Sequence, residues 1–388
     1  MRTLFHRRSK GMLVAAATAI ACASVLAACS RPSGVPTMLA AGDAGETRGF
    51  VLTTFVMASR ESGDDVCPKG YAWSEREFYL ASLPPAQRAR EERANTDWIR
   101  RVSVDRKGPN QCRNPRDYPD PGHITLAGPA TAYGFDLDNA ASGAKGFATC
   151  PHTEFSGSGG EKGIDNQLWR VLGCVGGYQP GRTIDEYAVA NIKSGSRTIL
   201  IELSQLDDPR NDPDVTVGIY SSDDPVMLDS AGNIMRQASF HVADNRRYHA
   251  RLEGRLVDGV LTAGPIEELR LEYNGQYLES EYQFRQAQVR IEMKEDGTIE
   301  GLIGGYWDVE GFYDAHARQA TRAGAFTVGY TCPGIYGALY AAADAYPDPE
   351  TGQCTAISGA FRLQGTPAFV IHGDQAAVTV AANAEPVR

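Results

Sequence analysis

The chain has 388 residues, with 38 Lys and Arg against 48 Asp and Glu, for a formal net charge of −10. An acidic surface repels polyanions, which excludes nucleic acid and anionic lipid headgroups as principal partners. Hydrophobic residues make up 42% of the chain, enough at this length for a sizeable core in one large or two medium domains.

Arg2, Arg7, Arg8 and Lys10 precede an apolar run from Met12 to Ala28, the pattern of an export signal. It closes on Leu26-Ala27-Ala28-Cys29, which resembles the lipobox of bacterial lipoproteins. The resemblance implies that residues 1–28 are a cleaved signal peptide and that Cys29 carries acyl chains, palmitate among them, holding the protein in a lipid bilayer. Ser30 after the cysteine implies, by the same family's sorting pattern, the outer membrane. No other stretch approaches the roughly 18 apolar residues of a membrane-spanning helix. Removing residues 1–28 takes away four basic residues and no acidic ones, so the net charge becomes −14. Residues 29–48, rich in Gly, Ala, Pro, Ser and Thr, read as a flexible tether. Residues 49–388 follow as a single β-rich domain whose first part, to about residue 195, is irregular and partly helical.

Phe50 to Ala58 is apolar and strand-like. Ser74 with Glu77 forms a capping box that opens a helix towards Leu80. Pro84-Pro85 interrupts it, and a charged helix with Trp98 follows from Ala86 to Arg101. His123 to Leu137 carries strand-like stretches. In GIDNQLWRVLGCVGGY, residues 163–178, Asp165 is the expected N-cap of a short helix with a buried apolar side, and Gly176-Gly177 end it. Trp169 belongs to the core. Asp165 to Gln167 carry a second reading, as a cap for a neighbouring loop or an ion ligand. Thr183 with Glu186 predicts a helix over Ile184–Ile192.

Downstream the chain turns mostly β, with strands expected over Thr198–Leu203, Val215–Tyr220, Ser239–Val242, Arg247–Leu256, Val260–Ala263, Leu269–Tyr273 and Tyr277–Phe284. From Ala287 the residues alternate cleanly, and Asp296-Gly297 turns the chain into Thr298–Ile303. Val309–Thr321 reads as helical, Phe326–Tyr330 as a strand, and Pro333 opens an apolar helix over Ile335–Ala345. The last strands lie between Cys354 and Val370. Many short strands with Gly and Asp turns predict an α+β fold of mainly β character. The expected architecture is an antiparallel β-sandwich with peripheral helices, stapled by disulfides.

Cys67, Cys112, Cys150, Cys174, Cys332 and Cys354 remain once Cys22 leaves with the signal and Cys29 is lipidated. An even number in an exported protein points to disulfides rather than a metal, and no C-x-x-C pair is present. The spacing favours three local loops, Cys67–Cys112, Cys150–Cys174 and Cys332–Cys354, each contributing about 3–4 kcal/mol.

The loop Asp207, Asp208, Asn211, Asp212 and Asp214 gathers oxygen ligands suited to calcium, the one cofactor the sequence suggests. Its first reading is an acidic, proline-stiffened turn. For hydrolysis by paired carboxylates, Glu202, Glu272, Glu281 and Glu292 are the formal candidates, although glutamate on the wet face of a strand is ordinary. There is no G-x-S-x-G, and the glycine-rich stretch 157–163 does not match a nucleotide cradle. The histidines at 123, 152, 241, 249, 316 and 372 show no zinc spacing. Tyr306 and Trp307, after Gly304-Gly305, are the aromatic ligand candidates.

VCPKGY at 66–71, IDNQLWRVLGCVGGY at 164–178, DDPRNDPDVTVGIYSSDD at 207–224 and YPDPETGQCTAIS at 346–358 resemble a group of uncharacterised exported proteobacterial lipoproteins. The resemblance implies no activity. Its members' association with large exported haem proteins implies a partner-protein role. The leading expectation is therefore a non-catalytic envelope module that binds a glycan or a partner protein. The alternatives are a polysaccharide hydrolase working through strand carboxylates and an accessory subunit of an exported redox enzyme.

Overall fold

The computed structural model describes residues 45–60, 65–94, 111–128, 130–141, 147–275, 278–318 and 328–373. The expected signal peptide, Cys29, the expected tether up to residue 44, and Trp98 with the expected helix positions after residue 94 lie outside the described residues.

Among the described residues ten strands form: β1 (Glu46–Met57), β2 (Thr198–Leu206), β3 (Asp212–Ser222), β4 (Ala238–His241), β5 (Ala250–Val257), β6 (Val260–Gly275), β7 (Leu278–Met293), β8 (Ile299–Asp308), β9 (Ala345–Pro347) and β10 (Cys354–Ile371). The expected sandwich is overturned by their pairing. β1 pairs antiparallel with β2 on one side and with β10 on the other, so the order β1-β2-β3-β5-β6-β7-β8-β10 closes into an eight-stranded barrel. β4 runs parallel to β10, and β9 pairs with β10, both outside the barrel.

Strand length explains closure. The strands expected over Val260–Ala263 and Leu269–Tyr273 are one strand, β6, with a register shift between Ala263 and Ile266. β7 likewise absorbs two expected strands across a shift between Arg285 and Gln288, where Gln286 takes a left-handed φ of 52°. Bulges of this kind bend a strand and raise its twist, which lets a long strand curl around a barrel. An eight-stranded barrel is narrow enough for side chains to fill. Here one apolar cluster draws on all eight barrel strands, with Phe55, Tyr282, Phe284, Trp307 and Phe361 in mutual ring contact.

Among the described residues there are six helices: α1 (Glu75–Ala81), α2 (Pro85–Ala94), α3 (Gln167–Leu172), α4 (Thr183–Lys193), α5 (Val309–Tyr313) and α6 (Cys332–Ala342). The Ser74–Glu77 capping box forms as the sequence requires. The box expected at Thr183 does not: the N-cap is Arg182 without a side-chain bond, and Asp185 accepts from the Gly181 N–H instead. Asn166, one residue beyond the expected cap, accepts from the Trp169 N–H. Leu168, Val171 and Leu172 of α3 join the barrel's core cluster, and α6 and β10 pack against α3. No helix among the described residues is long and apolar enough to cross a membrane.

The disulfides form, and the pairing is long-range: Cys67–Cys174, Cys112–Cys332 and Cys150–Cys354. Spacing favoured local loops because the entropic cost of closure is lowest there. The fold instead brings the N-terminal segments back onto α3, α6 and β10.

Gly304 and Gly305, the pair before the aromatic ligand candidates, lie inside β8. A Cβ at Gly304 would sit 2.5 Å from the Phe135 ring, so the glycine lets the 130–141 segment lie directly on the outer face of the barrel. Gly304→Val should cost about 1–3 kcal/mol through this collision, read as a lower urea midpoint with unchanged slope.

Candidate functional site

Asp165 is the hub of the segment that covers the outer face of β8 and β10. It is fully buried, and its N–H donates to the Phe135 carbonyl at 2.8 Å. Its Oδ2 accepts from the N–H groups of Leu137 (2.7 Å) and Asp138 (3.2 Å), while Oδ1 faces His152 Nε2 at 2.9 Å. Asp165 thus caps a neighbouring loop, the role set beside the helix cap in its sequence. His152 Nδ1 lies 2.9 Å from the Cys150 carbonyl, an acceptor only, so Nδ1 carries a proton. Cys150 is fixed to β10 by its disulfide, and its N–H donates to the Asp344 carbonyl.

Asp344, fully buried between α6 and β9, completes the floor. Its Oδ1 accepts from the Ser358 N–H at 2.8 Å, and the Ser358 hydroxyl oxygen accepts from the Gln167 N–H at 2.9 Å. Burial pushes the Asp344 carboxyl up to about 7, against the pull of Ser358 and His152. Burial also works against a charged His152, but Asp165 and the Cys150 carbonyl outweigh it and hold the imidazole up to about 9. Asp136 is raised by burial and then by the neighbouring Asp165 and Asp138.

The Tyr306 hydroxyl is buried in the same place. Burial, and then the fields of Asp165, Asp344 and Asp138, drive its ionisation far above the ordinary phenol range. Tyr306 is therefore not a surface ligand platform: its ring packs against Phe147 and Tyr346 beneath the covering segment. Trp307 points the other way, into the barrel, against Phe284, Tyr282 and Phe312. Alternation along β8 puts the two neighbours on opposite faces, and both are buried.

Beside His152 a cleft of about 480 Å³ opens between α3 and α6. One wall is a face of small residues on α6: Gly334, Gly337, Ala338 and Ala341. The other carries Thr125, Thr153, Gln167 and Arg170. Arg170 is committed within the protein, donating to Gln167 Oε1 and to the carbonyls of Gly128 and Thr153 while stacking over Phe155.

The other sequence candidates lie apart from this cleft. In the acidic loop, Asp212 accepts from the N–H groups of Asp207, Asp208 and Asp214, and Asp208 from those of Arg210 and Asn211. Asn211 accepts from Asp258 N–H, so these oxygens serve the turn. Glu202 pairs with His372 at 2.9 Å on another part of the surface. Glu281 is clamped by Arg247 and Arg270, and Glu292 pairs with Lys294. No two of these glutamates flank the cleft beside His152.

Comparison with protein-family models, with curated proteins and with solved structures returned no match.

Proposed function

We propose that the protein is a non-catalytic binding module of the cell envelope, anchored in the outer membrane through lipidated Cys29, that holds an extended segment of a partner protein in the cleft between α3 and α6. One observation carries the reading. The imidazole of His152 and the guanidinium of Arg170, which border the cleft, already have their hydrogen-bonding groups engaged by Asp165, Cys150, Gln167, Gly128 and Thr153. The cleft therefore offers fixed shape and fixed polarity, and neither group is available as a free base. Disulfides tie down both sides of it, Cys67–Cys174 just beyond α3 and Cys112–Cys332 at the start of α6. Preorganised surfaces of this kind lose little entropy on binding.

The lining has no Trp, Tyr or Phe on which a sugar ring could stack, which supports a peptide segment over a glycan. The lipobox and the complete export signal before it support the anchor. An exported redox enzyme is one partner that the sequence resemblance suggests.

The test is capture of partners from an envelope extract by the full-length lipoprotein and by Ala341→Arg. Ala341 is exposed at the cleft, so the arginine blocks the cleft without disturbing the core. Capture of a specific protein should fall at least tenfold in the variant. Equal capture by both forms would remove the cleft from the reading, and selective recovery of a glycan would replace the peptide as ligand.

A further inference from the structure

We propose that Asp138, His152 and Asp165 form a binding site for one divalent transition cation of the manganese or zinc class, with Asp344 and Tyr306 completing its inner wall. One ligand atom from each of the three residues lies within 4.8 Å of the others. His152 Nε2 and Asp165 Oδ1 are 2.9 Å apart, close to the separation of about 3.0 Å between adjacent ligands of an octahedral ion with bonds near 2.1 Å. The imidazole is oriented as metal-bound histidines are: Nδ1–H donates to a backbone carbonyl, so Nε2 is the nitrogen that takes the metal, giving up its proton and its hydrogen bond to Asp165 when the ion enters.

A second, independent observation points to a ligand. Three side-chain atoms of this one cluster, Asp136 Oδ1, Tyr306 Oη and Asp344 Oδ2, are buried without a hydrogen-bond partner among the described residues. Tyr306 and Asp344 are fully buried. Tyr306 and Asp344 lie beside the three ligand residues, close enough for the Tyr306 hydroxyl to feel Asp138 and Asp165 and for Asp344 to feel His152 and Asp165, and the Asp344 carbonyl accepts from the N–H of Cys150, two residues from His152. An orphaned buried acceptor is destabilising, more so when charged, and such groups call for an explanation. A cation among them supplies the missing partner for the carboxylates and the phenol oxygen together. It also offsets four neighbouring carboxyl groups, Asp136, Asp138, Asp165 and Asp344, which His152 alone does not balance.

The ligand chemistry selects the metal. An imidazole nitrogen with carboxylate oxygens suits manganese or zinc, whereas calcium takes six to eight oxygens. This site is distinct from the acidic loop at Asp207–Asp214, where backbone N–H groups use the carboxylates.

The inference stands apart from partner binding, because it is read on the purified protein alone. The full-length lipoprotein, stripped with EDTA and kept in detergent, is titrated calorimetrically with Mn²⁺, Zn²⁺ and Ca²⁺, and with Co²⁺ as a visible-absorbance reporter. One Mn²⁺ or Zn²⁺ should bind per chain, with Ca²⁺ at least tenfold weaker, and Co²⁺ should develop ligand-field bands. Asp138→Asn and His152→Gln should each weaken binding at least tenfold and alter or abolish the Co²⁺ bands, with circular dichroism unchanged. Asp138 is only partly buried, so its variant keeps the test valid if His152→Gln misfolds. Absence of binding up to millimolar metal, tighter Ca²⁺ than Mn²⁺ or Zn²⁺, or Asp138→Asn binding as the wild type does would overturn the site.

Discussion

Replacing Cys112 and Cys332 together by alanine should lower the free energy of unfolding by about 5 kcal/mol. The bond closes a loop across a sequence separation of 220, and in the chain-entropy model a longer loop restrains the unfolded chain more. A local Cys332–Cys354 bond would have contributed about 3–4 kcal/mol by the same relation. Both sulfurs are buried, and the Cys332 N–H donates to Glu75 Oε1, so the bond also fixes α1 against the start of α6. Alanine at both positions avoids a reactive unpaired thiol. The measurement is guanidinium denaturation without reductant, together with peptide mapping of the intact protein. A loss below about 2 kcal/mol, the lower end for native disulfides, would mean that the bond adds little restraint to the unfolded chain. Recovery of a Cys332–Cys354 peptide would contradict the long-range pairing directly.

Local chemistry was legible in the sequence, and closure was not. The Ser74–Glu77 box, the turn at Asp296-Gly297 and the burial of Trp169 depend on residues a few positions apart, and each forms as its pattern requires. The inner face of a sandwich and the inside of a barrel produce the same alternation along a strand. What separates them is the pairing of Phe50–Met57 with Phe361–Pro367, a contact between the two ends of the domain that no local pattern encodes. The local sequence assigns no role to the glycines at 304 and 305. In the fold they serve close approach, to Phe135 on one face and to the Arg285 carbonyl on the other. Tyr306 and Trp307, the aromatic ligand candidates, are both core.

The cluster around Asp165 was half legible. Its residue types and the unusual density of the 163–178 window were visible, and a loop cap or an ion ligand was one reading of Asp165. Its partners were not visible, because Leu137, His152, Asp344 and Ser358 come from four separate segments. The signal that could have found them is the placing of Cys150 two residues before His152 and of Cys354 four before Ser358. Their disulfide brings the two segments together.

Acidification from pH 6.5 to pH 4 should remove up to about 3 kcal/mol of stability through His316 alone. His316 follows α5, with its ring stacked on Phe312 at 4.2 Å and edge-on to Trp307 and Tyr282. Burial among these rings pushes its imidazole down to about 4, and the nearby Arg197 guanidinium adds to the effect. The Tyr282 ring and the Tyr330 hydroxyl are the neighbouring phenols, and burial pushes Tyr330 far above the ordinary phenol range, so it adds no charge here. Because the folded value lies below the unfolded one, the unfolded chain takes up the proton first as pH falls. The stabilisation is complete above 6.5 and is lost progressively until the folded imidazole titrates near 4. Asp344, held up to about 7, works in the opposite direction, so the test compares two proteins rather than two pH values alone. His316→Asn keeps a donor near the Phe312 carbonyl, which His316 Nδ1 approaches at 3.1 Å, and cannot become charged. Urea denaturation at intervals between pH 7 and pH 4 should show wild type losing stability faster than His316→Asn by as much as about 1.4 kcal/mol per pH unit. Parallel curves for the two proteins would show that His316 is solvated well enough to charge in place, and that the ring cluster at this end of the barrel opens to water.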